Sequence, residues 1–173
     1  MRKFAMRFVC AGALVASLGL GGILVGCDST DSNGQQAAQA DRADANIDWQ
    51  YMTADELAQK LDAGDPVIVL DIRTDDMYNA GHIKGAYQVP VFPVDTAEAE
   101  QELTDAAKNL GEEDPVVIVC KTGNKGAKRA ISVLEDAGIS NDRLFILEGG
   151  GDGWNVAEWT TTDNDSTVPG SQA

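Results

Sequence analysis

The residues best suited to chemistry lie together in one short segment, Cys120-Lys121-Thr122-Gly123-Asn124-Lys125-Gly126. This segment follows an apolar run at 115–119 and precedes a helical pattern, so Cys120 stands between a predicted strand and a predicted helix. If the loop curls around the sulfur, backbone N–H groups and the positive end of the helix dipole face the thiol. Lys121 and Lys125 add two positive charges nearby. These features favour the thiolate, the nucleophilic form of cysteine, without a histidine base.

Composition excludes several other kinds of site. His82 is the only histidine, so we expect neither a multi-histidine metal site nor a two-histidine relay, and we expect no metal or cofactor. The cysteines Cys10, Cys27 and Cys120 lie in settings too different to form a disulfide or zinc framework. The 28 acidic and 13 basic residues give a net charge of −15, which argues against a nucleic-acid partner.

The elements that would position the cysteine loop alternate between strand and helix over residues 47–160. Apolar and β-branched runs predict strands at 47–51, 66–70, 86–89, 115–119 and 144–147. Helical patterns cover 53–64, 74–80, 97–110 and 125–137, with a last turn of helix near Trp154. This alternation implies parallel βαβ units and therefore a three-layer α/β domain. Ligands of such domains bind beyond the carboxyl ends of the strands, where Cys120 lies.

The first 27 residues predict a targeting segment. Basic residues at the start precede an apolar run from Phe8 to Gly26, which ends in Leu24-Val25-Gly26-Cys27. This ending resembles the lipobox of bacterial lipoproteins. The resemblance implies that residues 1–26 are a signal peptide, that Cys27 is lipidated, and that the protein is held on the extracytoplasmic side of the cell membrane. An uncleaved signal anchor is the alternative.

Two polar segments flank the predicted domain. Residues 28–46 contain no large apolar residue, so we expect residues 27–46 to be a lipidated, flexible tether. Residues 161–173 are similarly polar, and we expect them to form a disordered tail.

Three motifs, in order, resemble the rhodanese family of sulfurtransferases, and the match covers nearly the whole predicted domain. The first is Asp71-Ile72-Arg73 followed by Gly81-His82-Ile83-Lys84-Gly85-Ala86. The second is the cysteine loop, which is similar to the family pattern C-[RK]-[ST]-G-x-[RK]. The third is Leu147-Glu148-Gly149-Gly150 with Trp154. The resemblance implies a rhodanese-like α/β/α domain with a five-stranded parallel sheet.

The resemblance also implies a sulfurtransferase mechanism. The Cys120 thiolate would attack the outer sulfur of a small donor such as thiosulfate, expel sulfite and become a persulfide. Loop residues 121–126 would hold this persulfide until a thiol or cyanide accepts the sulfur. Asp71 and Arg73 would support the loop, and His82 would orient the chain rather than act in catalysis.

The sequence departs from the family pattern at three positions. Lys125 stands where arginine is usual, so two-pronged binding of an anion is lost while the charge remains. Gly126 stands where serine is usual, which removes a hydroxyl. Met77 stands where glutamate is usual, so Arg73 loses that carboxylate partner, for which Asp75 or Asp76 could substitute. The first two changes predict poor use of thiosulfate.

Other interpretations remain open at this point. Cys120 could be a structural cysteine, although such a residue would not need a loop that contains glycine and lysine. The domain could be a non-catalytic module that binds a partner or carries sulfur. A cysteine phosphatase or arsenate reductase on the same fold is a third alternative, but such phosphatases have a longer loop. Here four residues separate Cys120 from Lys125.

Overall fold

Residues 40–169 are the part of the chain that the computed structural model describes. The predicted signal peptide, the predicted lipidation site Cys27 and most of the predicted tether lie outside the described residues. The strands are β1 (Gln50–Met52), β2 (Ile68–Asp71), β3 (His82–Ile83), β4 (Tyr87–Gln88), β5 (Val116–Val119), β6 (Leu144–Leu147) and β7 (Thr160–Thr161). The helices are α1 (Ala54–Ala63), α2 (Asp75–Asn79), α3 (Ala97–Ala107), α4 (Lys125–Asp136) and α5 (Gly150–Gly153).

Five of the strands form one sheet in the order β1-β6-β5-β2-β4, and every pair in it is parallel. The predicted five-stranded parallel sheet is therefore confirmed. Strand β5 lies at the centre, and Val119 at its end is paired with Asp71 of β2. Strands β3 and β7 form a separate antiparallel pair.

Helices cover both faces of the sheet, which confirms the three-layer architecture. The side chains of β5 alternate: Val116 and Ile118 join the core beneath α3 and α4, whereas Val117 and Val119 join the core beneath α1 and α2. All four residues are fully buried. A strand buried on both faces is what the continuous β-branched run predicts.

Helix ends follow local sequence signals. At the start of α1, the hydroxyl of Thr53 accepts from the Glu56 N–H at 3.2 Å, and the Glu56 carboxylate accepts from the Thr53 N–H at 2.9 Å. Gly64 ends this helix in the left-handed conformation, with φ of 68°. Helix α4 ends at Asp136, one residue before the end of the predicted range, and Ala137 beyond it is exposed. No helix within residues 40–169 is both long enough and apolar enough to span a membrane.

The amino-terminal boundary of the domain differs from the expectation. Residues 41–44, assigned to the tether, pack on α3 and α4, and Arg42–Asp44 form a short 3₁₀ helix. The guanidinium of Arg42 pairs with Glu100 at 2.8 Å and with Asp136 at 2.6 Å. Ion pairs order this end of the segment, and a hydrophobic pattern cannot reveal them.

The carboxyl-terminal boundary differs in the same way. Strand β7 pairs with β3, and beyond it the Asp165 carboxylate contacts the His82 ring nitrogen Nε2 at 2.7 Å. The same carboxylate accepts from the Gly85 N–H at 3.0 Å. Contacts between the tail and the domain continue to Ser166, whose hydroxyl accepts from the Gln88 N–H at 2.9 Å, so the structure extends beyond the predicted boundary at residue 161.

Candidate active site

Cys120 directly follows β5, at the carboxyl edge of the parallel sheet. The end of β2 lies beside it, since Asp71 is paired with Val119. Only 1% of Cys120 is exposed, and the residue packs in the core beneath α3 and α4. The thiol thus lies at the end of the central strand, on the edge of the sheet where parallel α/β domains bind ligands.

The first turn of α4 lies beside the thiol. A Cβ placed on Gly126 would stand 3.5 Å from the Cβ of Cys120. The helix is 12 residues long, and the N–H groups of its first turn have no partner within it. Its positive end therefore favours negative charge on the Cys120 sulfur. The ring of loop amides around the sulfur stays a prediction.

A second loop, which leads into α5, holds the cysteine loop by its backbone. The Gly151 N–H donates to the carbonyl of Cys120 at 2.8 Å. The Asp152 N–H donates to the carbonyl of Lys121 at 3.0 Å. Two successive carbonyls of the cysteine loop are thus fixed by two successive amides of α5.

This close backbone contact needs glycine on both sides. A Cβ on Gly150 would overlap the carbonyl oxygen of Cys120 and stand 2.5 Å from the nitrogen of Gly123. A Cβ on Gly123 would stand 2.5 Å from the carbonyl oxygen of Leu147. Both glycines also have positive φ, 58° at Gly150 and 66° at Gly123. The glycines of the second and third motifs therefore allow the two loops to touch.

Asp71 and Arg73 form a buried pair at the end of β2, beside the strand that leads to Cys120. The Asp71 carboxylate is fully buried and accepts from the Arg73 backbone N–H at 3.0 Å, from Nε at 2.9 Å and from Nη2 at 2.6 Å. Nη2 also donates to the carbonyl of Gly81 at 3.0 Å. The carboxylate partner of Arg73 is thus Asp71, two residues away, and not Asp75 or Asp76, the candidate substitutes.

Arg73 in turn contacts the second loop. A Cβ on Gly151 would stand 2.5 Å from Nη1 of Arg73, so the guanidinium lies against the residue whose N–H holds the Cys120 carbonyl. Beside it is a cavity of about 240 Å³, lined by Arg73, Met77, Ala80, Gly81, Lys121 and Asp152. Arg73 therefore lies against the helix that holds the cysteine loop, and its supporting role stays a prediction.

The two loop lysines are less available to the thiol than expected. The ammonium of Lys121 contacts the Asp152 carboxylate at 2.5 Å, and that of Lys125 contacts the Asp41 carboxylate at 3.4 Å. Their side chains are 47% and 66% exposed. Each positive charge is therefore partly offset by a carboxylate and screened by water.

Phe92 is a site residue that motif comparison misses. Its ring lies against the first turn of α4, where a Cβ on Gly126 would stand 2.8 Å from a ring carbon. The ring also packs against the core that contains Cys120. An aromatic ring thus takes the space beside Gly126. No family motif marks Phe92; the only sequence signal is an apolar residue in a proline-containing loop.

His82 has a structural role, as predicted. Its ring is buried, stacks on the ring of Tyr78 at 3.6 Å, and contacts the Tyr78 carbonyl through Nδ1 at 2.9 Å. Its other nitrogen contacts Asp165. Burial raises the pKa of the Tyr78 hydroxyl to about 12, so this hydroxyl stays protonated at neutral pH.

The remaining loop residues are at the surface. Thr122 and Asn124 are exposed, and the Asn124 side chain makes no capping hydrogen bond to α4. Within residues 40–169, no group of three or more histidine, cysteine or acidic residues is arranged to hold a metal ion.

Comparison with known proteins gives one consistent result. The family model described as the rhodanese-like domain matches residues 53–157. A solution structure of the rhodanese-like domain of an Anabaena protein superposes with a TM-score of 0.52 and 25% identity, over 69% of this chain and 83% of that one.

Two curated relatives carry names that describe an activity. A putative thiosulfate sulfurtransferase of Mycobacterium tuberculosis is 33% identical over 127 residues, or 61% of this chain and 44% of that protein. The thiosulfate sulfurtransferase GlpE of Pseudomonas entomophila is 29% identical over 106 residues, or 61% of this chain and 77% of that protein. The chain spans less than half the length of the first curated relatives that it matches.

Proposed function

The chain belongs to the rhodanese-like domain family, and on that basis we propose that it is a sulfurtransferase that carries sulfane sulfur as a persulfide on Cys120. The observation that carries the proposal is the position of this thiol. Cys120 lies at the carboxyl end of the central strand, beside the first turn of α4, and its carbonyl is held by α5. The names of the two curated relatives support the same class of reaction.

The reaction takes two steps. The Cys120 thiolate attacks the outer sulfur of the donor; a bond forms between the two sulfurs, and the S–S bond of the donor breaks. The rest of the donor leaves with the electron pair of that bond, as sulfite from thiosulfate or as a thiolate from an organic persulfide. An acceptor, a thiolate or cyanide, then attacks the outer sulfur of the persulfide and releases the Cys120 thiolate. Two steps through a covalent intermediate replace one difficult transfer.

The surroundings of Cys120 suit an anion that persists between these steps. The positive end of α4 stabilises both the thiolate and the persulfide anion. The Asp71–Arg73 pair positions the cysteine loop. Arg73 lies against Gly151, and the N–H of Gly151 donates to the carbonyl of Cys120. Burial keeps bulk water away from the intermediate.

A non-catalytic sulfur carrier is the second candidate. The observation that favours it is the pairing of Lys121 with Asp152 and of Lys125 with Asp41, which weakens the attraction of the site for an anionic donor. A carrier would form the persulfide but would not transfer the sulfur repeatedly.

The test is mass spectrometry of the full chain after exposure to thiosulfate or to polysulfide. We expect the peptide that contains Cys120 to gain the mass of one sulfur atom and to lose it when cyanide or a thiol is added. Cys120→Ser should abolish both changes while leaving the fold intact. Turnover with cyanide separates the enzyme from the carrier. Absence of the adduct with both donors would contradict the proposal.

The proposed location is the extracytoplasmic face of the cell membrane. Its support is the lipobox-like ending at Cys27 together with the polar segment that follows it. In this arrangement the domain would meet small sulfur compounds outside the cytoplasm.

A further inference from the structure

The segment of residues 41–44, named here the strap, lies along the outer side of α4. Asp41 caps the strap by accepting from the Ala43 N–H at 3.0 Å, and Ala43 is buried. Arg42 fastens the strap to α3 and α4 through Glu100 and Asp136. The strap is therefore built onto the helix whose first turn lies at the thiol.

The Asp41 carboxylate contacts two cationic side chains of α4, those of Arg129 and Lys125. It accepts from Nε and Nη2 of Arg129, each at 2.7 Å, a two-pronged contact. Its Oδ2 atom also lies 3.4 Å from the ammonium of Lys125. Lys125 and Arg129 are four residues apart and so share one face of the helix. One carboxylate thus holds the loop lysine and its neighbour.

This carboxylate is permanently charged near neutral pH. The hydrogen bonds from Arg129, followed by the one from the Ala43 N–H, hold the pKa of Asp41 far below its usual range. The side chains of Asp41 and Arg129 are only 22% and 18% exposed, so the contact between them is shielded better than a typical surface pair.

Lys125 is next to Gly126, the residue beside the Cys120 side chain. An unpaired ammonium at position 125 would attract a negatively charged reagent to the thiol. Asp41 offsets one of the two positive charges that Lys125 and Arg129 carry, so it lowers the net positive charge on this side of α4 by one. We infer that Asp41 sets the charge selectivity of the Cys120 site, so that the domain favours sulfur donors of low negative charge over the thiosulfate dianion. The donor part of this inference rests on the proposed function.

The first test does not need sulfur transfer. Iodoacetate and iodoacetamide both alkylate a thiolate with loss of iodide, but only iodoacetate carries a negative charge. In Asp41→Asn, the ratio of their rates at Cys120, measured on the Cys120 peptide of the full chain, should rise about two- to fivefold, the effect of one exposed ion pair. Asp44→Asn is the matched control, because Asp44 is exposed and in the same strap. This control should leave the ratio unchanged.

The double variant Asp41→Asn/Lys125→Gln identifies the cation responsible. The rise should be smaller in the Lys125→Gln background, since Asp41→Asn then releases only Arg129, which lies one helical turn farther along α4 than position 125. A ratio that stays constant in Asp41→Asn, or rises equally in Asp44→Asn, would overturn the inference. Thermal unfolding of each variant confirms that the domain is folded under the assay conditions.

The second test measures the donors. In Asp41→Asn, kcat/KM for thiosulfate should rise by the same two- to fivefold, with little change for an alkyl persulfide that carries no other charge. Equal changes for both donors would overturn the donor selectivity. If the alkylation ratio responds but neither donor places sulfur on Cys120, the proposed function fails while the charge control by Asp41 stands.

Discussion

At the residue scale, the ring of Phe92 occupies the space beside the thiol that a side chain at position 126 would need. The ring lies where a side chain at position 126 would begin, with ring carbons 2.8 and 2.9 Å from a Cβ there. A serine side chain at this position would therefore meet the aromatic ring, which gives the site an apolar wall.

We predict that Gly126→Ser destabilises the domain, because the added side chain forces the ring to move. Overpacking of this kind costs about 1–3 kcal/mol. In a Phe92→Ala background the additional cost of Gly126→Ser should largely disappear, since the competing ring is gone. Denaturant unfolding of the four proteins measures this coupling.

Gly126→Ala is the control that separates the Cβ from the hydroxyl. It should cost as much as Gly126→Ser in the presence of Phe92. Equal costs of Gly126→Ser with and without the ring would show that Phe92 does not fill the space.

At the element scale, the important contact is between the cysteine loop and the amino end of α5. The backbones touch directly, through the Gly151 N–H and the Cys120 carbonyl at 2.8 Å, with no side chain between them. Position 150 tolerates no Cβ, because that atom would overlap the Cys120 carbonyl oxygen.

We predict that Gly150→Ala lowers the rate of persulfide formation on Cys120 at least tenfold, since the loop that carries the thiol must shift. It should also lower the free energy of unfolding by more than the cost of positive φ alone, which is about 1–2 kcal/mol. Mass spectrometry and denaturant unfolding measure the two effects.

Gly64→Ala is the matched control. Gly64 has a similar φ of 68° but open space around it, so its substitution should carry the backbone cost without affecting Cys120. If both substitutions proved equal in stability and activity, the contact between the loops would not matter for the site.

The polar tail beyond β7 is a second element-scale contact. Asp165 binds the buried His82 ring and the Gly85 N–H, so it ties the tail to the first motif. We predict that Asp165→Ala lowers the free energy of unfolding by about 1–3 kcal/mol, because a buried ring nitrogen loses its partner. Asp163→Ala removes an exposed acid two residues earlier and should have little effect. Similar losses in both variants would indicate a general charge effect instead.

At the scale of the whole molecule, the domain is strongly acidic. Removal of residues 1–26 would take away three of the 13 basic residues and none of the 28 acidic ones. Basic patches would therefore not attract such a surface to anionic lipid, and acyl chains would have to hold it at the membrane.

We predict that Cys27→Ser blocks both lipidation and removal of the signal peptide, so that the protein persists as a precursor that begins at Met1. Cys10→Ser is the control; Cys10 lies within the predicted signal peptide, and this variant should be processed normally. Amino-terminal sequencing and mass spectrometry of protein from the native membrane provide the measurement. Wild-type protein that retains residues 1–26 and carries no acyl chains would contradict the lipoprotein proposal.

Sequence by itself determined the parallel sheet and the position of Cys120 at the end of a buried strand. These features depend on local patterns: the continuous apolar runs at 115–119 and 144–147, the capping box at Thr53, and the glycines that end helices. Each of these signals acts within a few residues along the chain, so it can be recognised without knowledge of the fold.

Only the tertiary structure decided which charges and side chains meet at the thiol. Asp41 and Lys125 are 84 residues apart in sequence, and Lys121 and Asp152 are 31 apart. Phe92 reaches Gly126 from another loop. Ion pairs and ring contacts of this kind have no periodicity, because any acidic or aromatic residue could in principle make them. The packing of the strap and α5 against the ends of α4 and β5 selects which ones do.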